Sequence, residues 1–392
     1  MPPHRVSPAA VEDLGILLYT RIRKSPYYHA SSQHGVRRYS VYNHTYHPHH
    51  YGPRARRHAD VHVADRLYRR TRAPDLSDPS LTTGTLARDE GHWMTQSLRF
   101  GLVGTGHWAR ITHAPALAST DGIEFAAVWG RNAGAAADLA ASFHATAHHD
   151  LSAFLADIDA VAFAVPPDVQ VPIAIRASGA GKHLLLEKPI AISVADADAL
   201  ADAVAQAGVS SVVFFTPRFQ ADVRAWLAEV SATGGWAGGC AVWLGSALRA
   251  GNPFNTPWRR DKGGLWDVAP HLVSLLWASL GPVRSVTAEA GLGDVTHLVL
   301  HHEDRVTSTV TVTLNVPMSA GLAELYLWGE AGRSVAPVET AQPVVALRTA
   351  LTELAANARS GQASHPCDVQ FGRDIGRVLA DAQRQIGVHP PG

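Results

Sequence analysis

The stretch Leu-Arg-Phe-Gly-Leu-Val-Gly-Thr-Gly-His-Trp-Ala, residues 98–109, decides the fold. An apolar run leads into Gly104, Thr105 and Gly106, and Ala109 completes a G-x-G-x-x-A pattern. A buried strand that turns sharply into a helix has this form. Gly104 allows the tight turn, Gly106 lets backbone approach a pyrophosphate, and Ala109 lets the helix pack close to the strand. The helix start then offers free N–H groups and a positive dipole end to phosphates. The pattern predicts a helix over His107–Ser119 and a second strand over Ile123–Trp129, the spacing of a dinucleotide site. Gly104, Thr105, Gly106, His107 and Trp108 are its candidate cofactor contacts.

Outward from that stretch the pattern alternates. Strands are predicted over Ala160–Val165, His183–Leu186 and Ser211–Phe215, with helices over Ala133–Phe143, Val171–Ser178 and Val194–Ala207. Such alternation predicts a doubly wound parallel sheet covered on both faces, an α/β Rossmann domain over residues 94–218. After residue 219 the character changes. Strand-like runs at Gly238–Ser246, Val283–Ala290, Thr296–His301, Thr307–Asn315 and Glu324–Trp328 carry fewer helices between them. Residues 219–392 therefore read as an α+β domain with an open, mostly antiparallel sheet, for substrate binding and oligomerisation. Trp258–His271 reads as a Gly- and Trp-rich loop running into a helix, Pro270–Leu280, and Asp368–Ile386 as a closing helix.

Composition excludes several classes. Formal net charge is zero across 392 residues, but residues 1–93 hold 14 Lys/Arg against 8 Asp/Glu and 10 of the 22 His. The body is mildly acidic, which argues against a nucleic-acid partner. Two cysteines, Cys240 and Cys367, exclude a disulfide framework and point to a reducing compartment. No run reaches membrane-spanning length and no secretory signal is evident, so the cytoplasm is expected, with no membrane partner. Residues 1–93 read as a disordered extension, and Met94 sits where many dinucleotide-binding chains begin.

Three constellations carry chemistry. After the second strand a dinucleotide fold usually places a carboxylate for the ribose hydroxyls; here stand Gly130, Arg131 and Asn132, which suits a 2′-phosphate and favours NADP over NAD. Val165-Pro166 and Glu187-Lys188-Pro189 end two predicted parallel strands, where ligands of such sheets sit. The Lys188 ammonium could stabilise a developing alkoxide. Asp267 and His271, four apart, lie on one face of a helix start that Pro270 locates. Gly263-Gly264 before them permit close approach of loop and ligand. His271 is suited to acid/base work near neutral pH, and Asp267 to positioning a hydroxyl or capping a helix. Trp258, Arg259 and Trp266 surround that pair as candidate substrate contacts. No metal site is expected.

Together these motifs resemble the glucose–fructose oxidoreductase and inositol dehydrogenase family (Gfo/Idh/MocA), over roughly residues 97–388. The resemblance implies NAD(P)-dependent oxidation or reduction of a sugar, cyclitol or similar polyol. On matching positions it implies that Lys188 is the catalytic lysine, Asp267 the substrate-positioning carboxylate and His271 the general acid/base. Gln170 departs from the histidine that the family often carries there. A second resemblance is confined to about residues 16–52. Thr20-Arg-Ile-Arg-Lys-Ser-Pro-Tyr-Tyr28 with Tyr39-Ser-Val-Tyr-Asn-His-Thr-Tyr-His-Pro48 looks like the truncated start of a glycine-cleavage T-protein-like aminomethyltransferase. The expected protein is an NADP-preferring dehydrogenase or reductase, a homodimer or homotetramer. The alternative is a non-catalytic dinucleotide-binding sensor.

Overall fold

The computed structural model describes residues 97–338 and 342–387. The extension through residue 93, with its aminomethyltransferase-like run, lies outside the described residues. β1 (Leu98–Val103) is the first described element, and its apolar residues are almost wholly buried. It is flanked by β2 (Ile123–Trp129) and β4 (Ala160–Phe163), then β3 (Thr146–His148), β5 (His183–Glu187) and β6 (Ser211–Phe214). The order is β3-β2-β1-β4-β5-β6 and every pairing is parallel. The strand order reverses between β1 and β4, which opens a crevice at the carboxyl ends of the strands.

The helices that cover this sheet follow from local signals. A π-helical turn (Ala109–His113) leads into α1 (Ala114–Ser119). α2 (Ala133–Ser142) and α3 (Leu151–Ala156) start on the side-chain caps of Asn132 and Asp150. α4 (Pro167–Gly179) begins with Pro at its first position, where the missing N–H is harmless. α5 (Val194–Ala207) starts on Ser193 and stops at Gly208 in the left-handed conformation.

The second sheet is built from β7 (Trp236–Leu244), β8 (Ser285–Ala290), β9 (Thr296–His301), β10 (Thr307–Thr313), β11 (Leu322–Gly329) and β12 (Gly332–Val335). Its order is β12-β11-β7-β10-β9-β8, open at both edges. All pairings are antiparallel except the central one, β7 with β10. α6 (Ala221–Thr233) precedes it.

Residues 257–267, expected as loop, form helix α7 (Pro257–Asp267), broken at Gly263 (φ 60°, ψ −163°). Gly264 packs on β10, where a Cβ would sit 3.1 Å from the Thr313 nitrogen. The glycine pair thus serves the helix break and its packing on a strand, rather than a ligand. α8 (Ala269–Leu280) follows at once and is buried through Leu276. α9 (Pro343–Ser360) was not legible in the sequence. The closing helix α10 (Val369–Ile386) starts on Asp368 and joins the two sheet layers. Gln370 donates to Ala201 O on α5, while Gln385 bonds Val286 O and Ala288 N on β8. Among the described residues no helix is long and apolar enough to cross a membrane.

Candidate active site

The glycine-rich turn is built as its residues require. Gly104 has φ 128°, and a Cβ there would lie 2.5 Å from the Ala164 carbonyl oxygen on the strand beside it. Gly106 differs: a Cβ on it would meet nothing within 4 Å. The protein's own packing therefore explains the first glycine and leaves the second to a ligand's approach. The separation is testable. Gly104→Ala is expected to destabilise the chain by about 1–3 kcal/mol through backbone strain alone. Gly106→Ala is expected to melt with the native chain and yet bind a dinucleotide more weakly, read by thermal unfolding and cofactor titration.

Gly130 stands close under the same turn, where a Cβ would be 2.8 Å from Thr105 Cγ2. Arg131 is exposed at the end of β2 and makes no hydrogen bond or ion pair among the described residues. Asn132 is engaged by its own helix, its Oδ1 accepting from Ala135 N at 3.0 Å. Val165 is half-buried beside Gly104, and Pro166 is exposed at the start of α4. Residues 130–132 thus offer an exposed guanidinium and no carboxylate.

β5 ends in Glu187, whose carboxylate anchors the elements around it. Its Oε1 accepts from Trp108 Nε1 at 2.7 Å and lies 2.9 Å from Nε2 of the fully buried His113. Its Oε2 accepts from the Lys188 backbone N–H at 3.2 Å. The π-helical turn carries His113 to this position, so glycine-rich helix and β5 are tied through one carboxylate. Gln170, also fully buried, fixes the backbone on both sides of Lys188. Its amide donates to Glu187 O (3.0 Å) and Ile190 O (3.2 Å), and its oxygen accepts from Glu187 N (2.8 Å). The peptide between Lys188 and Pro189 is cis.

Lys188 then reaches the second layer. Its Nζ donates to Asp267 O at 2.6 Å and to Asp267 Oδ1 at 3.1 Å. The other carboxylate oxygen, Oδ2, accepts from Arg259 Nε at 2.8 Å. Asp267 is not a helix cap: Val268 holds that place on α8, with no side-chain cap bond. Burial alone would raise the Asp267 carboxyl, but the charges and hydrogen bonds of Lys188 and Arg259 outweigh it and hold it well below the usual range. His271 lies in the first turn of α8, buried, with its ring stacked on Trp243 at 5.8 Å. Burial and then the Lys188 charge push its imidazole well below the ordinary value, against an upward pull from Asp267. Its Nδ1 is buried without a partner, whereas Nε2 is not sealed off.

Lys188, Asp267 and His271 thus come together, two layers contributing to one cluster. Arg259 joins them, stacked over Phe254 and Trp258 at 5.2 and 5.6 Å. Trp266 does not. It is 2 % exposed, and its indole nitrogen donates to Gln383 on α10 at 3.1 Å, so it packs the core and cannot meet a substrate. Phe254 faces His107 and Trp108 at 5.2 and 6.0 Å, which links the Arg259 side of the cluster to the glycine-rich turn. Phe254, Gln170 as a backbone clamp, His113 and Trp243 escaped the sequence reading. Each acts through a long-range partner that no local spacing reports. Among the described residues no group of His, Cys, Asp or Glu is arranged to hold a metal.

A parallel 3-2-1-4-5-6 sheet with this turn defines a dinucleotide-binding Rossmann fold, here followed by a mixed sheet that supplies half of a polar cluster. Residues 98–215 match the Gfo/Idh/MocA model, an oxidoreductase family with an NAD-binding Rossmann fold. UDP-N-acetylglucosamine 3-dehydrogenase of Acidithiobacillus ferrooxidans is 37% identical over 103 residues, 26% of this chain and 32% of that protein. The chain thus spans about a third of the length of that relative in the match. Two solved structures share the whole two-sheet fold. The apo scyllo-inositol dehydrogenase of Lactobacillus casei has a TM-score of 0.63 at 17% identity, covering 74% of this chain and 96% of that one. GenD2 from gentamicin A biosynthesis, in complex with NAD, has a TM-score of 0.65 at 19% identity, covering 78% and 98%.

Proposed function

We propose that the chain is an NADP-preferring dehydrogenase or reductase acting on a hydroxyl or carbonyl carbon of a sugar, cyclitol or similar small polyol. The observation that carries this reading is the Lys188–Asp267–His271 cluster, one member from the end of a Rossmann strand and two from the helices of the second layer. A nucleotide held by Gly104, Thr105, Gly106, His107 and Trp108 would supply the hydride acceptor or donor. His271 moves the hydroxyl proton through Nε2, the ring nitrogen that is not sealed off. Lys188 stabilises negative charge developing on the substrate oxygen. Asp267 fixes the Lys188 ammonium and orients a neighbouring hydroxyl. A pure binder has no use for all three, which weighs against a sensor. A panel of sugars and cyclitols, followed by NADPH absorbance, tests the reading; no turnover with any of them would leave the sensor.

The NADP preference rests on Arg131 and on the missing carboxylate after β2. Arg131→Ala is expected to weaken NADPH binding selectively, measured against NADH by titration. Equal loss for both would mean that Arg131 does not read the 2′-phosphate. Domains over 94–218 and 219–392 fit the two sheets. A homodimer or homotetramer through the open sheet is supported by Leu322 and Trp328, both exposed on one face of β11. The cytoplasm remains the proposed location.

A further inference from the structure

Two cations meet at one carboxylate of the cluster. The carboxylate of Asp267 faces two cations, Lys188 at 3.1 Å and Arg259 at 2.8 Å. A second carboxylate, Glu187, accepts from Trp108 and the Lys188 backbone N–H and lies beside His113, and it keeps its charge. Neither carboxylate accepts from the terminal nitrogens of Arg259.

Arg259 is a guanidinium with unused donors. Arg259 gives its Nε to Asp267 and a long 3.5 Å contact from Nη1 to Phe254 O, while Nη2 has no partner among the described residues. The side chain is 22% exposed. Phe254 and Trp258 stack on the guanidinium and hold its plane. A fixed planar fork with free N–H groups is the natural receptor for a carboxylate. A neutral polyol would leave those donors without a charged acceptor.

We propose that the substrate is a polyhydroxy carboxylic acid, a sugar acid bearing its carboxylate near the reacting carbinol, and that Arg259 is the residue that reads the carboxylate. The inference rests on the cluster being the substrate site and narrows the substrate class given above.

The test is calorimetric titration of the full chain, saturated with NADPH so that a hydroxyl-level ligand cannot be oxidised, using acids and their neutral counterparts: gluconate and sorbitol, galactonate and galactitol, glucuronate and glucose. At least one acid is expected to bind about 10- to 100-fold tighter than its partner, the range of a charged hydrogen-bonded contact. That preference should shrink as salt is added. Arg259→Gln should remove most of it, and Arg259→Lys, which keeps charge but loses the fork, should restore only part. The proposal is overturned if no acid outbinds its neutral partner, or if the preference survives Arg259→Gln. If Arg259→Gln does not fold, the native chain's acid-to-neutral ratio and its salt dependence still decide. Binding is read without turnover, so absence of NADPH formation would count against the proposed reaction and not against this recognition.

Discussion

Lys188→Ala and His271→Ala are each expected to lower kcat/KM by roughly 10²–10⁴-fold, the range for a positioned proton-transfer or charge-stabilising group. Neither side chain touches the glycine-rich turn, so cofactor affinity should fall far less, and titration of the variants checks it. The two differ in pH dependence. Burial and then the Lys188 charge hold the His271 imidazole well below its ordinary value. If His271 is the base, the acid limb of kcat/KM for oxidation is expected below the ordinary imidazole range. Removing Lys188 removes one of the two downward causes. The acid limb of Lys188→Ala should move upward toward about 6.5 even as the rate falls. An unmoved limb would show that the two groups do not share a site. The same burial has a stability sign. The unfolded chain takes up a proton near pH 6.5 while folded His271 does not, so its contribution is full above that pH and is lost as pH falls toward the folded value.

How far the sequence carried the architecture can be traced through particular residues. Strict apolar runs bounded by Gly or Pro gave β1, β2, β4, β5 and β6 within a residue or two, because strands buried on both faces leave that signature. β3 and α3 were missed since three and six residues are too short for a periodic signal. β12 pairs only with the end of β11, and α9 begins at Pro343 in a stretch without a side-chain cap. The Gly263-Gly264 pair misled because glycines in sequence look alike whether they admit a ligand or let a helix break against a strand. Lys188, Asp267 and His271 were legible as types at telling positions. That Asp267 is shared between Lys188 and Arg259 was not, since it depends on α7 folding Arg259 back over Phe254 eight residues before its partner. Trp266 was misassigned for a related reason: an aromatic beside a site residue on a helix points elsewhere, here into α10.

Asp267→Ala should be the most destabilising single change in the cluster. It leaves Lys188 and Arg259, only 11% and 22% exposed, facing each other with no counter-charge. Breaking a buried pair from one side typically costs about 3–5 kcal/mol, because a desolvated charge is left uncompensated. Here two cations lose the same partner. Denaturant unfolding at pH 7 reads the loss, and a variant as stable as the native chain would show that the pairs are solvated and structurally idle. Asp267→Asn keeps the shape and an oxygen for Lys188 but no charge; it should cost less stability, raise KM and lower kcat/KM. The sign with pH is fixed by the direction of the shift. A carboxyl held well below its ordinary range contributes fully above about pH 4 and loses that contribution as pH falls further. Asp267→Asn should therefore flatten the acid side of the stability curve. Adding Arg259→Gln to Asp267→Ala removes one of the two stranded cations, so the double variant should be more stable than Asp267→Ala alone. If the two losses simply add, Arg259 and Asp267 are not energetically coupled, and the charge balance at the cluster would have to be redrawn.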